Sequence, residues 1–242
     1  MDVIIQSPPN ITELANYIAL QNREPCNHIG YCGQKAAEIK DTMLNDFGDV
    51  AISDAFVTAY KSDQIVGAFG LDVDASRNIA EAWGPFVSMT KEWQSIANRL
   101  WNKLISTMHI HNIDFFINKE NKQAQIFLQK MEANKTGSHH ILKINKDERG
   151  IQLVEKVTSY ESSIRKAFQE LHDTTFPRTY YNAEDILARL NDTNQLLVIK
   201  EKETNSLKAY SYIEATPDYA EGNIEYIAVS PKYRKQGIGT EI

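Results

Sequence analysis

Apolar residues along this chain recur with two periods, and each change of period marks an element. Ile11, Leu14 and Ile18 lie one helical turn apart and predict a short amphipathic helix; Ile39, Met43, Leu44 and Phe47 predict a second. Residues 55–60 and 65–73 read as two strands joined by the polar turn Lys61-Ser62-Asp63-Gln64, and residues 79–87 as a third strand. Trp93, Ile96, Ala97, Leu100, Trp101, Leu104 and Ile105 then fall at helical spacing, giving one buried stripe on a long helix. A short strand at 113–117, a helix at 121–131 and a strand at 140–144 close the first half.

The second half repeats this order. A strand is predicted at 152–157, then a helix with Ser159 as its candidate cap and Ile164, Ala167, Phe168 and Leu171 on its apolar face. Asp173-Thr174-Thr175-Phe176-Pro177 breaks it, and a second helix covers 183–190. Strands at 195–200 and 207–215 form a hairpin around Thr204-Asn205-Ser206, a strand follows at 224–229, and a helix starts near Gly237. The halves align without gaps at a spacing of 142 residues, which pairs Ile65 with Leu207, Leu71 with Ile213, Val87 with Val229 and Ile96 with Ile238. Two copies of one α+β domain account for this, residues 1–147 and 148–242, with the polar stretch 145–150 as the boundary.

Composition narrows the class. With 42% hydrophobic and 24% charged residues the chain is globular, not disordered. Its formal charge of -6 disfavours binding nucleic acid through bulk charge. No apolar run reaches the length of a membrane span, and the first residues are not those of a secretory signal. Two cysteines make no disulfide framework, so the sequence predicts a cytoplasmic protein. Cys26, His28 and Cys32 match no standard zinc spacing, and no metal site is expected.

One segment carries chemistry. The strand Ile224–Val229 is stopped by Pro231, and a loop with three cations, Lys232, Arg234 and Lys235, runs into Gly237-Ile238-Gly239. Unpaired backbone N–H groups at a helix start attract anions, and glycines let the backbone approach phosphate oxygens closely. An acidic protein thus concentrates positive charge where a phosphate-bearing ligand would sit. The pattern lacks the Gly-Lys-Ser/Thr of nucleotide triphosphatases and the third glycine of the dinucleotide fingerprint.

Ile227-Ala228-Val229, Pro231, Tyr233-Arg234, Gly237 and Gly239, taken in order, resemble the acetyl-CoA motif of the Gcn5-related N-acetyltransferase (GNAT) superfamily. The resemblance implies two tandem acyl-CoA N-acyltransferase-like domains, each a mixed, mostly antiparallel sheet flanked by helices. It implies that Ile227, Ala228 and Val229 pair with the pantetheine arm of acetyl-CoA. Arg234, Lys235, Gln236, Gly237, Ile238, Gly239 and Thr240 would hold the pyrophosphate. The acetyl group would pass directly to an amine, small-molecule or peptide, with no nucleic acid or membrane involved and a homodimer compatible. A protonated amine has no lone pair, so a base is needed. Glu225 is the candidate, two residues before Ile227 and hence, by strand alternation, on the same face. An ordinary solvated carboxylate is the plain alternative. The loop 172–181 mixes aromatics with His, Asp and Arg and stands where the family covers its acceptor.

Under the spacing of 142, Arg234 maps to Glu92, Gly237 to Ser95, Gly239 to Ala97 and Ile227 to Pro85, which has no N–H. Leu128 stands where the family often has a tyrosine acid. The first copy therefore reads as a degenerate domain that keeps the fold without the cofactor site. It continues for roughly 46 residues past Leu100, the counterpart of Ile242, so a complete second copy is expected to end near residue 288. Two other functions stay open from sequence: a non-catalytic binding or dimerisation module of this fold, and a different phosphate-ligand binder.

Overall fold

The computed structural model describes residues 2–108, 110–144, 156–177, 179–204 and 206–242. The chain divides into two compact units, Met1–Ser138 and His139–Ile242.

The first unit opens with β1 (Ile4–Gln6), a strand the apolar pattern does not announce because it is three residues long. Next comes α1 (Ile11–Asn22), capped by the Asn10 side chain, which accepts from the N–H groups of Thr12 and Glu13. Helix α2 (Ala36–Asn45) and a single turn, α3 (Ile52–Ala55), follow. β2 (Phe56–Lys61) and β3 (Gln64–Asp74) are joined through Ser62 and Asp63, both at positive φ, as a tight hairpin requires. β4 (Ile79–Val87) and α4 (Trp93–Ile105) have the predicted bounds, while β5 is only Asn112–Asp114, and α5 spans Lys122–Lys130. The sheet order is β1-β2-β3-β4-β5, with β5 parallel to β4 and the other neighbours antiparallel. One face packs Leu71, Val73 and Ala82 under the α4 stripe of Trp93, Ile96, Leu100 and Leu104. The other packs Phe56, Trp83 and Phe86 under Leu14, Ile18 and Ile39.

Residues 140–144, predicted as a strand, are irregular. Ile141, Leu142 and Ile144 are exposed, Leu142 at 91%, and strand propensity here finds no ladder partner among the described residues.

In the second unit β6 (Val157–Ser159) takes in Ser159, which therefore does not cap the next helix; residues 152–155 of the predicted strand lie outside the described residues. A 3-10 turn leads into α6 (Arg165–Thr175), which runs through the predicted break and ends ahead of Pro177. Helix α7 (Ala183–Arg189) starts on a capping box between Asn182 and Asp185. β7 (Asn194–Lys200), β8 (Leu207–Thr216), β9 (Glu221–Val229) and the short helix α8 (Ile238–Glu241) complete it. The sheet order is β6-β7-β8-β9, antiparallel throughout. Phe168, Ile186, Tyr210, Tyr212 and Tyr226 fill the face under α6 and α7, and Ile199, Ala209, Tyr233 and Ile238 the other.

The two sheets repeat each other down to their irregularities. The pair Ala68↔Phe86 stands 142 residues before Tyr210↔Ala228, and Leu71↔Ala82 stands 142 before Ile213↔Ile224, so each sheet holds one extra residue between the same two rungs. A second bulge recurs between Ala59/Tyr60 and Ile199/Lys200. Bulges fix where a strand bends, and their repetition marks one inherited backbone plan.

One cluster in the first unit has a pH consequence. The register sets Asp72 opposite Glu81 and Glu81 opposite Asp114. Burial first, then the two flanking carboxylates, push Glu81 up to about 7. Because the folded value lies above the unfolded one, its stabilising effect is complete below pH 4.5 and is lost as pH rises through about 7. Thermal melts across that range are expected to show a loss on the order of 1 kcal/mol, discounted for partial exposure, that Glu81→Gln removes.

Candidate active site

Strand β9 is the edge of its sheet among the described residues and pairs only with β8, through Ser211↔Ile227, Tyr210↔Ala228 and Ala209↔Val229. Its outer edge therefore presents backbone groups with no ladder partner. Tyr226 and Ala228 point into the core under α6 and α7, and Ile227, on the opposite side, is 44% exposed.

The strand ends in a shaped loop. Ser230 donates its N–H to Lys208 C=O at 2.8 Å, and a turn over Pro231–Tyr233 buries the Tyr233 ring, with the ammonium groups of Lys208 and Lys232 at 5.3 and 5.2 Å from its centroid. Arg234 donates Nε–H to Val229 C=O at 2.9 Å, fastening the loop to the strand end. Lys235 and Gly237 both take positive φ, +62° and +81°, and the chain then enters α8. The backbone N–H groups of Lys235, Gln236 and Gly237 have no acceptor among the described residues, and nothing lies within 4 Å of where a Gly237 Cβ would stand. Successive N–H groups around left-handed residues form a concave anion nest. This fits a pyrophosphate. The Thr240 N–H differs, since it donates to Gly237 C=O at 2.9 Å. Ile238 faces the core, and Gly239 is exposed beside Val229.

Glu225 sits at the β9 bulge, between the rungs Tyr212↔Tyr226 and Ile213↔Ile224. The extra residue interrupts the two-residue period that assigns Glu225 to the face of Ile227, so alternation does not fix its face. Its surroundings belong to the α6/α7 side: Glu214, Arg189 and Tyr181 all act on it or feel it. Desolvation first, and the Glu214 carboxylate second, raise its pKa above the ordinary glutamate range.

The segment between α6 and α7 divides in two. His172 is fully buried. Its Nε2–H donates to Tyr181 C=O at 2.9 Å, which leaves Nδ1 to accept the Tyr210 O–H at 2.6 Å. Tyr226 Oη accepts the Tyr181 N–H at 3.2 Å and bonds the Thr179 hydroxyl at 2.5 Å. Tyr181 is thus held at both main-chain groups, while Tyr180 stays exposed. Arg178 lies outside the described residues.

The sequence profile of the acetyltransferase (GNAT) family matches residues 160–242. These residues are thus similar in sequence to the GNAT family. Over 99% of the chain the backbone is similar to a GCN5-related N-acetyltransferase from Sphaerobacter thermophilus, with TM-score 0.66 at 13% identity over 79% of that chain. It is likewise similar to a tandem GNAT protein from the clavulanic acid biosynthesis pathway, with TM-score 0.52 at 12% identity, covering 99% of this chain and 83% of that one. At such identity the likeness shows the fold, two GNAT-like sheets in tandem. A search of curated proteins found no match to this chain.

The first GNAT-like unit keeps the strand-to-helix passage and not the nest. Ser88 donates its N–H to Val66 C=O, the counterpart of Ser230 and Lys208. From there a short turn leads straight into α4 with no residue at positive φ between 86 and 105, and Trp93 buries itself at the helix start. Glu92, the counterpart of Arg234, pairs with Lys61 at 3.5 Å. Leu128 packs against the core, and Trp93 and Trp101 ring Phe127 as core residues. Cys32 is buried, Cys26 is exposed, and His28 Nδ1 contacts Asn22 C=O.

Sequence reasoning missed Arg189 and Glu214 in the second unit. The available signal was the repeat itself, which sets an acid at both Asp72 and Glu214.

Proposed function

We propose that this protein is an N-acetyltransferase that moves acetyl from acetyl-CoA directly to an amine, with the cofactor held by residues 148–242 and none held by residues 1–147. The observation that carries this reading is the nest, three successive N–H groups with no internal acceptor between a residue and a glycine at positive φ. The exposed edge of β9 leads into it, so an extended pantetheine arm would run along Ile227, Ala228 and Val229 toward a pyrophosphate at Arg234–Thr240. Acetyl-CoA supplies the acyl carbon when bound. The chain supplies the rest: N–H groups that bind and orient, and Glu225, which takes the proton from the acceptor ammonium.

No helix among the described residues is long and apolar enough to cross a membrane. The reading places the protein in the cytoplasm, acting on a small-molecule or peptide amine.

Isothermal titration with acetyl-CoA tests the cofactor claim, and thiol release with a panel of amines tests catalysis. Micromolar binding, weakened at least about tenfold by Arg234→Glu, is expected. Absence of binding overturns the reading, and binding without thiol release for any amine reduces it to a binding module.

A further inference from the structure

Lys232 stands at the turn between β9 and the nest, and it is fixed there at both main chain and side chain. The Tyr233 N–H donates to Ser230 C=O at 2.8 Å, and Gln236 Nε2–H donates to Lys232 C=O at 3.4 Å, so the nest folds back over this turn. The Lys232 ammonium lies 5.2 Å from the centroid of the Tyr233 ring, a ring only 8% exposed. An aromatic face attracts an ammonium through its quadrupole, so the charge is held at one place beside the nest. Lys208 stands 5.3 Å from the same centroid, and its ammonium pairs with Glu201 at 2.8 Å. Lys232 makes no ion pair among the described residues. The other two cations of the loop differ from it. Arg234 is turned back onto Val229 C=O, and Lys235 is exposed with no contact among the described residues that fixes its side chain.

The nest accounts for the diphosphate of acetyl-CoA. The same ligand carries a third phosphate, a monoester on the 3′-hydroxyl of its ribose, one sugar beyond the diphosphate. Resting on the acetyltransferase reading above, we propose that Lys232 receives this 3′-phosphate and makes the site select the 3′-phosphorylated coenzyme over the same thioester without it. Charge complementarity carries the assignment. A phosphate monoester is close to doubly charged at neutral pH, and on a chain of net charge -6 it needs a local cation. Ordering a free lysine side chain offsets most of what an exposed ion pair contributes. Tyr233 orders Lys232 before any ligand arrives, so more of the attraction appears as affinity.

Calorimetric titration of the full chain compares acetyl-CoA with acetyl-3′-dephospho-CoA, which differ by that one phosphate. The wild type is expected to bind acetyl-CoA about five- to tenfold more tightly. Salt at about 1 M, where screening acts within roughly 3 Å, should shrink this ratio. Lys232→Gln should weaken acetyl-CoA and bring the ratio within about twofold of one. Lys235→Gln should weaken both ligands alike and keep the ratio. If Lys232 only covers the Tyr233 ring, Lys232→Gln lowers the melting temperature and leaves the ratio as in the wild type, which overturns the proposal. Equal binding of the two ligands by the wild type overturns it as well, and leaves the acetyltransferase reading standing. Binding of neither ligand overturns both.

Discussion

Glu225→Gln is expected to lower kcat for acetyl transfer by roughly 10²–10⁴-fold while leaving acetyl-CoA affinity nearly unchanged, the range seen when a positioned general base is removed. The amine must lose a proton before it can attack, and glutamine cannot accept one. The position of Glu225 also predicts a pH signature. Desolvation and Glu214 raise its pKa, so it becomes a base only above the ordinary carboxylate range. Activity should therefore fall as pH drops through that raised value, and Glu225→Gln should abolish this limb of the profile. Glu214→Gln removes the nearby like charge and should move the limb to lower pH. Steady-state kinetics from pH 5 to 9 decide the matter; a limb that persists in Glu225→Gln assigns the base elsewhere.

The second large effect lies in the nest. Gly237 holds φ at +81°, where a β-branched residue is strained on the order of 1–3 kcal/mol. The space a Cβ would enter is open, so Gly237→Val can relax by turning the exposed loop. Relaxation keeps the fold and loses the alignment of the N–H groups at Lys235, Gln236 and Gly237. Acetyl-CoA affinity is expected to drop roughly 10–100-fold, with little change in melting temperature. Gly239→Ala is the matching control. A Cβ there would lie 3.6 Å from Val229 Cγ2, an ordinary contact, so the fold should tolerate it. Unchanged affinity in Gly237→Val would detach the cofactor from this loop.

Much of the architecture was legible because its causes are local. The α4 stripe from Trp93 to Leu104, the hairpin at Ser62-Asp63 and the strand 79–87 follow from spacing and turn chemistry alone. So does the cradle after Val229, where proline, cations and glycines each act on their own stretch of backbone. The repeat strengthened every such reading by supplying it twice. Propensity misled at 140–144, where a strand-like composition meets no partner among the described residues, and at Ser159, which joined a sheet instead of capping a helix.

What the sequence alone determined is the repeated order of elements and the location of the glycine loop after β9, consequences of periodicity and of residues acting on their own backbone. Only the tertiary structure placed Glu225 at a bulge, because the register that interrupts alternation there is set by pairing with β8. It also decided that His172 is a buried strut for Tyr181 and that Arg189 pairs with Glu214. Those facts depend on groups brought together across 9 to 25 positions of chain, where packing and charge, and no local rule, select the partner.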